Sequence, residues 1–389
     1  MAAAALASCT REPVSYDGMS EFAPNTIAFS LESAPFTKAG QVLNTTTVNL
    51  GEDATGLSVT LQETVTWLGS NVQTVPSTKG APVTDADVAE KYGSFKAIVY
   101  DSVGQYPLDG DEELSGGVDF VYEPKHDKWA HTFKTNPFNR VPNMTFWMFM
   151  PEVPTLQSEV ENLKGVVTKV FNVEVKPDIL DQKDILIAGA NLSKTGYVPA
   201  LGFSAHFFHI FVGVRFKLLA LDGNTKVEKV TLEGLSGRGN FEFDNRTSEP
   251  TYGEFTWSPK YTARDITNYS FIPATDIVSN SETPVDINNQ AGDYTFWLIP
   301  QALSVPEQPS EDPDHYGYPT DVYLKLEVST DNNRRVVRIK LNDALGGTAD
   351  NPVKWVAGEL HTITLELHDM SLHASQDMEY SDYNPINLQ

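Results

Sequence analysis

The chain has 389 residues, and 28 Lys and Arg stand against 52 Asp and Glu for a formal charge of −24. That balance excludes nucleic acid and anionic membrane faces as partners, because both reward cations; 40% apolar and 11% aromatic residues exclude a chain too polar to bury a core. A single cysteine excludes an intramolecular disulfide and any multi-cysteine zinc or iron–sulfur centre.

The length fits two domains, and no run of 18 apolar residues exists to span a bilayer as a helix. At the start, Leu6-Ala7-Ser8-Cys9 resembles the cleavage site of bacterial lipoprotein signal peptides. Small residues at 7 and 8 suit a peptidase cleft, and the Cys9 thiol would carry the diacylglyceryl group. No Lys or Arg precedes the short apolar run, which reads as a truncated signal. Residues 10–24 have no periodicity and form a linker with the signal, 1–24.

Beyond residue 24, strand patterning dominates. Leu57, Val59 and Leu61 alternate with polar residues, as do Phe171, Val173 and Val175. The alternation is clearest over 208–218, where Phe208, Ile210, Val212, Val214, Phe216 and Leu218 share one face of a single long strand. Later runs follow at Val322, Leu324, Leu326 and Val328, at Val337, Ile339 and Leu341, and at Ile363, Leu365 and Leu367. One apolar face per strand predicts antiparallel sheets packed face to face, an all-β sandwich fold. Short helices are expected only in connections, at 84–92 behind an N-cap at Thr84 and at 155–164 around Leu156, Val160 and Leu163. The boundary between domains falls in 189–200, giving an N-terminal domain over 25–192 and a C-terminal domain over 193–370. A tail, 371–389, follows, and residues 304–319 form an acidic, proline-rich loop.

Candidate chemistry is sparse. Neither a nucleophile elbow nor a P-loop is present. Gly234-Leu235-Ser236-Gly237-Arg238-Gly239 reads as a tight turn rather than a phosphate cradle. His206 and His209, three apart on a strand, fall on opposite faces and cannot share a metal. His126 and His131 belong to a solvated hairpin around Trp129. Glu311, Asp312, Asp314 and His315 offer hard oxygen ligands for calcium but lack the turn spacing of known loops, so a charged surface loop is the reading. No cofactor, metal site or catalytic pair emerges, and the chain does not read as an enzyme.

Several segments together resemble the fimbrillin family of Bacteroidales, the type V pilins and their lipoprotein relatives. They are Ile27-Ala28-Phe29 with Thr37-Lys38-Ala39, Phe146-Trp147-Met148-Phe149, and Asp184-Ile185-Leu186-Ile187-Ala188 leading into Leu201-Gly202-Phe203-Ser204-Ala205-His206. Leu298-Ile299-Pro300-Gln301-Ala302-Leu303 follows, and then Trp355-Val356-Ala357-Gly358-Glu359-Leu360-His361, with His361 where an aromatic is usual. Their order covers nearly the whole chain.

The resemblance implies two tandem transthyretin-like β-sandwich domains and a structural fimbrial subunit serving cell adhesion. Such a subunit is exported as an outer-membrane lipoprotein precursor tethered through Cys9, then placed in a cell-surface fimbrium. It implies maturation by a surface protease that removes the first strand, with Lys38 as the expected cut, and partners among other fimbrial subunits: copies of itself, an anchor and a tip. It also implies that the C-terminal tail fills a neighbour's vacated edge. Met370, Leu372, Ala374, Met378, Tyr380, Ile386 and Leu388 all fall on even positions and give an extended tail one largely apolar face. The alternative is a monomeric surface lipoprotein that binds glycans on Trp67, Trp129 or Trp257, each set among polar neighbours.

Overall fold

The structure is a computed structural model. It describes residues 22–23, 25–31, 42–52, 58–67, 89–90, 92–101, 117–134, 137–139, 142–152, 154–161, 167–195, 203–205, 207–220, 225–244, 255–273, 278–279, 284–287, 295–305, 320–330, 333–368 and 386–388. The all-β expectation holds: the described residues are nearly all strands, numbered β1 to β26 in chain order.

The largest sheet contains β1 (Thr26–Leu31), β4 (Ser94–Asp101), β5 (Val118–Glu123), β6 (Lys128–Thr132), β7 (Asn143–Met150), β10 (Leu186–Ser193), β11 (Phe203–Ala205) and β12 (Phe208–His209). Its order is β11-β1-β6-β5-β4-β7-β10-β12. The end strands β11 and β12 are neighbours in sequence. Ala205 and Phe208 are three residues apart and span at most about 11 Å, so the sheet rolls until its ends meet. Inside the roll lies a core rich in aromatics and methionine, including Phe29, Phe95, Phe120, Trp129, Phe146 and Met148. β7 shows why: Asn-Met-Thr-Phe-Trp-Met-Phe-Met is apolar on both faces, and every residue after Asn143 is buried. Its even members line the roll, while Trp147 and Phe149 point outward into a second core.

That second core is shared by three further sheets. One holds β2 (Val42–Glu52), β3 (Ser58–Trp67), β13 (Val212–Ala220), β19 (Val285–Asp286) and β25 (Glu359–His368) in the order β19-β13-β25-β3-β2, and β20 (Phe296–Leu298) also pairs with β13. Another holds β14 (Thr225–Ser236), β17 (Ile266–Phe271), β23 (Tyr323–Thr330), β24 (Asn333–Lys340) and β26 (Ile386–Leu388), in the order β17-β14-β23-β24-β26, with β18 (Val278–Ser279) also on β14. The third runs β16 (Phe255–Pro259), β15 (Arg238–Asp244), β9 (Val167–Glu174), β8 (Thr155–Glu161). A two-stranded ladder of β21 (Ser304–Val305) and β22 (Thr320–Asp321) closes the acidic loop at its base. The predicted alternations are the inner faces here: Val322, Leu324, Leu326 and Val328 are fully buried, and Phe171, Val173 and Val175 are buried between exposed Asn172, Glu174 and Lys176.

Three local readings are corrected. Residues 155–161 form β8, not a helix. The four-residue step from Leu156 to Val160 equals one helical turn but also two strand repeats, and pairing with β9 decides it. At 89, 90 and 92 the expected helix is present, with the Gly93 N–H donating to the Ala89 carbonyl at 2.8 Å. The single strand expected over 208–218 is two. β12 belongs to the rolled sheet and β13 to the next, and Ile210 and Phe211, both buried, carry the chain between them.

Gly234 to Gly239 is not a tight turn. The chain runs on from β14 into β15 of another sheet, Gly234 takes φ +82° beside a bulge between Leu232 and Leu235, and a Cβ there would sit 2.4 Å from the Asp321 carbonyl oxygen. Residues 189–193, at the start of the expected 189–200 boundary, belong to β10, which pairs with β7 along its whole length. Ladders β1–β11, β10–β12, β3–β25 and β9–β15 all join strands from either side of position 192.

Candidate functional site

The first strand is the feature that stands apart. β1 lies between β6, to which it is antiparallel, and β11, to which it is parallel. Ile27 pairs with His131, Ala28 with Ala130 and Phe29 with both Trp129 and Phe203. Relative exposure is 3% at Thr26, 1% at Ile27 and 0% at Ala28 and Phe29, so both faces of the strand are covered. Ile27 and Phe29 enter the core of the roll. The Phe29 ring has its centroid 5.2 Å from Phe120 and from Phe146, 6.1 Å from Phe95 and 6.4 Å from Phe203, mostly edge to face. Thr26 and Thr132 hydroxyls meet at 2.9 Å, the Phe133 N–H donates to the Asn25 carbonyl at 3.1 Å, and the Asn25 side chain donates back to the Phe133 carbonyl.

The next described strand, β2, belongs to a different sheet, so a break anywhere in 32–41 leaves β1 bound to its sheet by hydrogen bonds and packing. Loss of β1 uncovers one margin each of β6 and β11 and a trough floored by aromatic rings, an edge that accepts an extended strand.

Most of the residues marked in the sequence for lipidation, processing and donation lie outside the described residues: Cys9, Lys38, Met370, Leu372, Ala374, Met378 and Tyr380. Ile386 and Leu388 are in β26, parallel to β24 on the same chain, with Ile386 beside Val337 and Leu388 beside Ile339. His206, Glu311, Asp312, Asp314 and His315 also fall outside. Of the tryptophans proposed as sugar platforms, Trp129 is fully buried in the roll and cannot be one. Trp257 is half-buried and its indole N–H donates to the Ile210 carbonyl at 2.8 Å. His126 and His131 do belong to a hairpin, β5 to β6, as the sequence indicated.

Two buried ionisable pairs escaped the sequence reading. His361 on β25 meets Glu63 of β3 at 2.8 Å through Nδ1 and Glu359 at 3.2 Å through Nε2, and all but Glu359 are nearly sealed from solvent. Burial pushes the imidazole pKa down, yet the bonds to Glu359 and Glu63 and their charges outweigh that and hold it above the ordinary value. The only sequence signal was the exchange of a usual aromatic for His361. His209 and Asp184 meet at 2.6 Å with side chains 0% and 7% exposed, and the His209 ring stacks on Trp297 at 5.8 Å and 7°. Their 25-residue separation hid that contact.

No protein-family model matches the chain, and none of the curated proteins matches it. Solved structures do. Its structural neighbours are Bacteroides candidates for cell adhesion. One, from Bacteroides uniformis, aligns over 72% of this chain and 91% of its own at 13% identity and TM-score 0.38. Another, from Bacteroides fragilis, aligns over 92% and 99% at 12% identity and TM-score 0.38. A third, from Bacteroides ovatus, aligns over 70% and 80% at 14% identity and TM-score 0.35.

Proposed function

We propose that the chain is a structural fimbrial subunit of the fimbrillin type, exported as a lipoprotein precursor through Cys9 and serving cell adhesion at the cell surface. In this reading a surface protease cuts after Lys38, β1 leaves, and the 370–388 tail of a neighbouring subunit enters the vacated place. Such head-to-tail contacts do not close on themselves and so propagate a filament.

The observation that supports it is β1: the first of the described strands, buried on both faces, paired on both edges, and followed by a described strand of another sheet. Its place offers main-chain partners on two sides and an aromatic floor, which gives affinity without demanding one side-chain sequence.

The test is a chain with a single engineered protease site in place of Thr37-Lys38-Ala39. Cutting it should release 1–38 and give filaments by electron microscopy, and removal of 370–389 should leave folded subunits that form no filaments after cutting. Filaments from the uncut chain, or from the tail-less one, would overturn the reading.

A further inference from the structure

Open sheet margins capture other strands, and proteins guard them by shortness, charge, proline or a cover. Most margins here are guarded. β16 has five residues and ends in Pro259, β8 carries Glu159 and Glu161, and β19 is two residues long and ends in Asp286. β17 is met by a bridge between Asp178 and Ser270, and β24 bears Arg334, Arg335, Arg338 and Lys340 and is topped by β26. The rolled sheet brings its own ends together.

β2 is different. It is an outer strand of 11 residues whose only partner among the described residues is β3. From Val42 to Gly51 it has no proline and no charge, in a chain of formal charge −24. Bulges fall at Val42/Asn44 and at Asn49/Glu52, and between them the ladder with β3 is regular from Asn44 to Asn49.

We propose that two copies of the full chain associate edge to edge through β2, antiparallel about a two-fold axis at Thr46. An axis perpendicular to a sheet sets each strand residue opposite its symmetry mate, so Thr46 meets Thr46, Thr45 meets Thr47, and Asn44 meets Val48. The run Thr45-Thr46-Thr47 then makes threonine–threonine pairs at three successive positions, a favourable cross-strand pairing. Neutrality points to a second copy as occupant, because two strongly acidic chains can come together only where like charges do not face each other. The contact is isologous and closes at two, so it is a lateral association distinct from strand donation and does not depend on it.

The test is sedimentation velocity on the uncut chain, in which β1 fills its own place, from roughly 1 μM to several hundred μM, a range that spans weak to moderate affinities. A dimer that grows with concentration is expected. Thr45 and Thr47 are in register with Thr64 and exposed Gln62, either side of the pairing of Thr46 with buried Glu63. T45K/T47K sets like charges against each other twice and should weaken the dimer at least about fivefold. T45K/T47E sets opposite charges together in that register alone and should keep it. A monomer at every concentration, or equal effects of the two double variants, overturns the proposal. Melting curves of both variants, expected to match the parent, exclude misfolding as the cause.

Discussion

The two cores are built from different materials, and the difference bears on what each can do. Around β1 the roll is packed with Phe, Trp and Met, whose contacts are broad and adaptable. Between β13, β25, β14, β23 and β24 the core is mainly Val, Ile and Leu alternating along the strands, broken by two bulges in β14. An aromatic trough tolerates a replacement strand with different apolar residues; an aliphatic ladder fixes its own. On the proposed function, the strand to be exchanged, β1, lies in the adaptable core and the strands that stay lie in the specified one.

Variants can break that comparison. The largest expected effect is Phe29→Ala, which removes a fully buried ring and should cost about 3–5 kcal/mol in the uncut chain. Leu324→Ala, in the aliphatic core, should cost about 2–5 kcal/mol. Denaturant titration before and after cutting at 38 separates them: the Phe29 penalty should vanish once β1 has left, and the Leu324 penalty should persist. Equal persistence of both would mean that β1 stays in place.

A smaller effect is expected at Ala28, which is fully buried and in register with Ala130 of β6. Ala28→Leu overfills its place and should cost about 1–3 kcal/mol by the same titration. Weaker still is the charge device at His361, which ties β3 to β25. Its folded pKa lies above the ordinary 6.5, so its contribution is fully present below that value and is lost as pH rises through the raised one. The melting temperature of the parent chain should therefore fall, relative to His361→Gln, as pH rises upward from about 6.5. Parallel melting curves across that range would remove the imidazolium from the account.

Much of the fold was legible because a half-buried strand writes its inner face at every second residue, as at Val322 to Val328. Legibility failed where that rule lapses. β8 was misread because a step of four suits helix and strand alike. The passage at Ile210 and Phe211 was missed because a chain crossing between two cores stays apolar throughout. Ile27-Ala28-Phe29 was visible as a strand, but its burial on both faces was not, since Ala28 carries no hydrophobic signal of its own. His209 with Asp184 and His361 with Glu63 depend on long-range pairing, which spacing along one chain does not encode.

The most direct measurement is the N-terminal sequence of the subunit recovered from assembled filaments. A first residue of Ala39, with no peptide from 26–31 retained in the filament, is what a cut after Lys38 and a refilled β1 position predict. Assembled protein that still begins before Thr26 and keeps its own first strand would show that the filament is held together some other way.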